Sequence, residues 1–172
     1  MEKNKYNGRF IKITEEQIGE SLYERAYFTH CVTVMALDED KNLLFIKELR
    51  PHETPNVRWK LVTGFLEEGQ TVEENANREL QEEIGKKASD LKLFYKSEYT
   101  GTINLIQNFV LAKNLSDSKL PNPDGEDTIL DVKPLTLEEV YKKVIDGFFG
   151  GGSLAYALLR LYDDVRAGRL KL

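Results

Sequence analysis

Between Thr71 and Gly85 the chain spells out one helix from its first capping residue to its last. Thr71 and Glu74 form a T-x-x-E pair, which at a helix start satisfies two orphaned N–H groups reciprocally. Val72, Ala76, Leu80 and Ile84 follow at four-residue spacing and give an apolar stripe with one face to bury. Gly85 stands where a left-handed residue ends a helix.

Around this helix lie shorter signals. Arg9–Thr14, Ser21–Phe28, His30–Leu37, Leu43–Leu49, Trp59–Val62, Leu91–Tyr99, Ile103–Ala112 and Ile129–Val132 read as strands. Asp38–Asn42 is a polar turn and predicts a hairpin from the strands on either side. Thr136–Ile145 and Ser153–Arg166 read as helices. Strands and helices are mixed without regular alternation, which predicts a layered α/β domain with a mixed sheet. With 172 residues, 41% of them hydrophobic, one domain spanning 1–172 has enough material for its own core.

Charge and cysteine content exclude several classes. The net charge is −5 and no basic block is present, so nucleic acid is not an expected partner. Apolar runs such as Leu43–Ile46 are too short to cross a bilayer, and MEKNKYNGRF lacks the apolar core of a signal peptide. A cytoplasmic location is expected. The single Cys31 excludes a disulfide framework or a cysteine-cluster zinc site, and its apolar surroundings predict an inert structural thiol.

The helix carries a second pattern. Glu79, Glu82 and Glu83 stand at i, i+3 and i+4 and share a face away from the apolar stripe, which predicts exposure to a cleft or to solvent. Such like charges repel by a few tenths of a kcal/mol per pair. A divalent cation offsets this, and hard cations held by carboxylates work on phosphate substrates.

Gly64, then Arg78-Glu79-Leu80-x-Glu82-Glu83-x-Gly85, resembles the Nudix box. Gln70 stands where that box has Glu, and Lys86 where it has an apolar residue at the helix end, a position favourable to a cation. The resemblance implies a Nudix-type α/β/α sandwich with a mixed sheet and a loop–helix that binds Mg²⁺, or Mn²⁺ in its place. It implies Glu79, Glu82 and Glu83 as metal ligands, and Arg78 as the residue orienting Glu79 by a charge-assisted hydrogen bond. It also implies that Gly64 permits a close backbone approach where the loop turns.

The wider chain resembles the ADP-ribose and nucleoside diphosphate sugar pyrophosphatases. Glu48-Leu49-Arg50-Pro51 is similar to the Q-Y-R-P of that subgroup, which makes Arg50 a contact to the substrate diphosphate. Asp124-Gly125-Glu126-Asp127 is similar to its acidic loop. The resemblance carries the catalytic base to Glu126, acting with Glu82 and Arg78, and a further ligand role to the shorter Asp124. Phe28 is a candidate for stacking on the nucleobase, as are Tyr23 and Tyr99. The expected reaction is Mg²⁺-dependent hydrolysis of a nucleoside diphosphate joined to another group, such as ADP-ribose or GDP-mannose. Nucleoside triphosphates, dinucleoside polyphosphates and a non-catalytic nucleotide-sensing module are the alternatives. The subgroup also implies a homodimer built by N-terminal strands, within residues 1–29.

Overall fold

The computed structural model describes residues 1–123, 128–149 and 152–172. The chain begins with β1 (Lys3–Asn7), β2 (Ile11–Ile18), β3 (Ser21–Phe28), β4 (Cys31–Ala36) and β5 (Leu43–Leu49). Next come β6 (Val57–Lys60), β7 (Val62–Phe65) and the helix α1 (Val72–Ile84). Two long strands, β8 (Lys86–Tyr99) and β9 (Ile103–Asp117), precede β10 (Ile129–Leu135), α2 (Leu137–Ile145) and α3 (Gly152–Arg166). No helix among the described residues is long and apolar enough to cross a membrane.

Strand β9 organises the larger sheet. It runs parallel to β4 from Cys31↔Gln107 to Ala36↔Ala112 and antiparallel to β8 over most of its length. It meets β3 only at Ala26↔Ile103 and Tyr27↔Asn104. With β7 on the other edge of β4, and β1 and β2 beyond β3, the result is a mixed seven-stranded sheet. A second, antiparallel sheet has the order β10–β5–β6.

Alternation along β4 and β9 divides the core in two. Val32, Val34 and Ala36, with Val110 and Ala112, face Ala76 and Leu80 of α1. Met35, Phe109 and Leu111 face Val140 and Val144 of α2 and Ala157, Leu158 and Leu161 of α3. Strands buried on both faces must be apolar at nearly every position, and Val32–Ala36 and Phe109–Ala112 are. Helices on both faces of a mixed sheet make the expected α/β/α sandwich.

Three expectations need correction. The strands flanking Asp38–Asn42 do not form a hairpin: only Leu37↔Leu43 bridges them. Both edges of β4 are already taken by β7 and β9, so β5 diverges into the other sheet. The turn is closed instead by Asp38, whose Oδ1 accepts from the Asn42 N–H at 2.8 Å. The single strand expected over Trp59–Val62 is two, broken at the buried Leu61, because β6 pairs with β5 and β7 with β4. Lys86 does not serve the end of α1: it opens β8, and its Nζ donates to Asp117 at 2.6 Å.

Candidate functional site

Helix α1 is fixed as its sequence dictates. The Thr71 N–H donates to Glu74 at 2.8 Å, and the Glu74 N–H donates to Thr71 Oγ1 at 3.1 Å. Gly85 adopts φ 66° and its N–H reaches the Leu80 carbonyl. With the stripe locked into the core, the carboxylate face meets β7 and the β5–β6 sheet.

That face is not open. The side chains of Glu79, Glu82 and Glu83 are only 10%, 12% and 9% exposed. Of the two expected settings, cleft or solvent, open solvent does not hold, because two cations close over the carboxylates. Arg78 donates from Nη2 to Glu79 Oε1 at 2.6 Å, the expected charge-assisted hydrogen bond, and from Nη1 to Glu82 Oε2 at 2.8 Å, so it bridges both carboxylates. Lys60 on β6 donates to Glu83 Oε1 at 3.0 Å and lies 3.0 Å from Glu48 Oε1 on β5. The Thr63 N–H donates to the other oxygen of Glu83 at 3.3 Å. Arg50 continues the chain: its Nη1 donates to Glu48 at 3.1 Å. One polar chain therefore runs from Arg50 through Glu48 and Lys60 to Glu83, beside the Arg78 bridge.

Two further residues set the geometry. Asn75, fully buried, accepts from the Glu67 N–H at 3.0 Å and donates to the Thr71 carbonyl at 2.9 Å, tying the 64–71 loop to the helix. Gly64 lies in β7 opposite Val32, not at a loop turn. Its close neighbour is the carboxylate of Glu79, and a Cβ at this position would overlap it. Gln70, on the exposed loop, donates its amide to Glu67 at 2.8 Å, so the residue that departs from the box binds within the loop.

Hard carboxylate oxygens suit Mg²⁺ or Mn²⁺. Among the described residues they are not gathered into a ready cluster of three ligands, because Arg78 and Lys60 hold them apart. The cations do not fully compensate the charge. Burial pushes the Glu79 carboxyl up to about 7, with Glu83 and Glu82 adding to the effect against the pull of Arg78. Burial also raises Glu83, despite Lys60. At Glu48 burial acts upward too, but Lys60 and Arg50 outweigh it and hold the carboxyl below its ordinary range. Three carboxylates on one helix face, with that of Glu79 packed into the space left by the missing side chain of Gly64, are the donor chemistry a hard divalent cation takes.

A pH dependence follows. A carboxyl raised on folding from 4.5 to about 7 stabilises the fold only while protonated; the contribution is complete below 4.5 and is lost as pH rises through about 7. In chelator, Glu79→Gln is therefore expected to gain melting temperature relative to the parent protein between about pH 5 and about pH 8. Thermal melts of both proteins across that range check this; a difference independent of pH would remove the burdened carboxylate.

Other expected residues lie elsewhere. Phe28 ends β3 opposite Ile11 and takes no part in this polar network, while Tyr23 and Tyr99 are exposed on the larger sheet. Phe65, next to Gly64, stacks on Phe10 at 4.5 Å and is part-exposed. Asp124 and Glu126 lie outside the described residues. The Cys31 thiol is raised by burial, as an inert thiol should be. Glu48, Lys60 and Asn75 were not anticipated, although strand parity carries a signal for two of them. Glu48 shares the face of the buried Ile46, and Lys60 pairs directly with Ile46.

The family model of the NUDIX domain matches residues 28–149. The ADP-ribose pyrophosphatase of Bacillus subtilis (strain 168) is 32% identical over 142 residues, covering 79% of this chain and 75% of that protein. A crystal structure of an ADP compounds hydrolase superposes with a TM-score of 0.80 at 20% identity, covering 98% of this chain and 93% of that one. At that identity the likeness concerns the fold.

Proposed function

The chain belongs to the Nudix family and is a hydrolase of pyrophosphate bonds; on that premise we propose that it is a divalent-metal-dependent ADP-ribose pyrophosphatase, with nucleotide sugars such as GDP-mannose as the second candidate substrates. The products would be a nucleoside monophosphate and a sugar phosphate. The Bacillus subtilis relative, an ADP-ribose pyrophosphatase, supports the first choice of substrate. The observation that carries the reading is the Arg78 bridge between Glu79 and Glu82, one helical step from a Glu83 linked through Lys60 and Glu48 to Arg50.

Each residue has a task in this reading. Glu79, Glu82 and Glu83 would hold Mg²⁺ or Mn²⁺. When bound, such an ion neutralises phosphate oxygens and lowers the pKa of its water. Arg78 holds two of the carboxylates through one guanidinium, on the helix face they share with Glu83. Arg50 clamps the diphosphate. Its guanidinium is held in place by Glu48 at 3.1 Å and Glu53 at 2.6 Å. Glu126 takes the proton of the attacking water as the leaving phosphate departs, with Asp124 as a further ligand. Gly64 keeps the cradle clear, and Phe28 stacks on the base. We read residues 1–172 as one cytoplasmic catalytic domain.

The test is release of AMP from ADP-ribose and of GMP from GDP-mannose, side by side, with Mg²⁺ and with chelator. Metal-dependent release from one of them selects the substrate. Release from neither would turn attention to nucleoside triphosphates and dinucleoside polyphosphates.

We also propose a homodimer through the N-terminal strands. Tyr6, Phe10, Ile13, Ile18, Leu22 and Tyr23 are exposed on β1–β3 or between them, and only two register pairs join β3 to β9. Light scattering is expected to give twice the 19.8 kDa chain mass, and Ile18→Asp with Leu22→Asp to lower it towards one chain. A single-chain mass for the unaltered protein would end the idea.

A further inference from the structure

Lys60 occupies an unusual position for a cation. Its side chain is 13% exposed and its ammonium is shared between Glu83 and Glu48, at 3.0 Å from each. The two carboxylates come from different layers: Glu48 from β5, Glu83 from α1. Both oxygens of Glu83 receive donors, Oε1 from Lys60 and Oε2 from the Thr63 N–H. Glu79 and Glu82 depend instead on the single bridge of Arg78.

A carboxylate oxygen bound to Mg²⁺ or Mn²⁺ lies about 2.0–2.2 Å from the ion. An ammonium 3.0 Å from the same oxygen would stand as a positive charge close beside an ion bound there, and the two repel. We propose that Lys60 is a displaceable counter-ion that competes with the divalent cation for Glu83 and withdraws onto Glu48 when the cation binds. The inference rests on the metal reading of Glu83 given above. Glu48 suits the receiving role, because it already touches the ammonium and Arg50 anchors it from the other side at 3.1 Å. Lys60 thus keeps a partner in both arrangements, and no charge is stranded. Its effect is to set the cation concentration at which the site fills.

The alternative is a purely supporting Lys60 that holds Glu83 in place for the metal. The two roles predict opposite signs. Mn²⁺ binding is measured by calorimetry and by loss of the free-ion paramagnetic resonance signal, without substrate, on the full chain. Lys60→Met, which keeps the stem and removes the charge, is expected to bind Mn²⁺ roughly tenfold more tightly. Lys60→Gln, which keeps a donor for Glu83, is expected to tighten it in the same direction, and it replaces the Met variant if that fails to fold. Lys60→Arg is expected to stay near the parent affinity. Mn²⁺ binding that is unchanged or weaker in a folded Lys60→Met or Lys60→Gln protein overturns the proposal and leaves the metal reading standing. Failure of the unaltered protein to bind Mn²⁺, or Glu83→Gln binding it as tightly as the parent, overturns the metal reading and the proposal with it.

Discussion

Glu83→Gln is expected to lower turnover by roughly a thousandfold or more without unfolding the protein. Glu83 is the most fully covered of the three helix carboxylates, and burial already resists its ionisation. An amide of the same shape keeps one acceptor oxygen, for the Lys60 ammonium, and gives up the one that accepts from the Thr63 N–H. Lys60 retains Glu48, so no buried charge is left alone. Removing a charge that costs free energy to bury offsets the lost acceptor and should leave the melting temperature near that of the parent, while removing a ligand of the ion that neutralises the transition state should be severe. The check is kcat for monophosphate release beside a thermal melt. A folded variant within about tenfold of the parent turnover would dismiss Glu83 as a ligand.

Gly64→Ala is expected to lose about a hundredfold in activity, with a stability cost of about 1–3 kcal/mol. The cause is contact, not backbone freedom: the added Cβ would meet the Glu79 carboxylate, which must then turn away from Arg78. Gly69→Ala is the useful contrast. Gly69 has φ +84° and open space where the Cβ would go, so the change strains the loop without touching a carboxylate. Stability should fall in both variants, but activity should collapse only for Gly64→Ala. Denaturant melts with kcat and KM for both proteins decide it; equal activity in the two would mean Gly64 has no part in shaping the Glu79 cradle.

The helix was legible because its signals are local. A capping box, a four-residue stripe and a terminal glycine lie within one short segment, and each appears in the structure where the residues put it. Ser21–Phe28 and Leu43–Leu49 were equally clear as strands. Pairing was less so. Nothing in the residues around Asp38–Asn42 says that both edges of β4 are filled from distant segments, so a local turn reads as a hairpin. Lys86–Asp90 and Lys113–Asp117 are polar, yet they lengthen β8 and β9 by pairing with each other. At the site, the carboxylate spacing was visible but its cover was not. Lys60 and Glu48 meet α1 only through the tertiary fold, and helix periodicity has no term for a lysine arriving from another sheet.

The parallel pairing of β4 with β9 has a consequence during synthesis. Cys31 has an antiparallel neighbour at Phe65 but finds its parallel one only at Gln107, and both cores draw side chains from β4 and β9 together. The apolar residues of β4 therefore leave the ribosome long before their cover is complete, and loop closure over that span precedes the gain from packing against β9. A chain stopped ahead of β9 would have α1 fully specified, with β4 and β7 able to pair but only part of the sheet face that receives it. The segment that most plainly announces the protein's chemistry thus waits on a strand made after it for its full support.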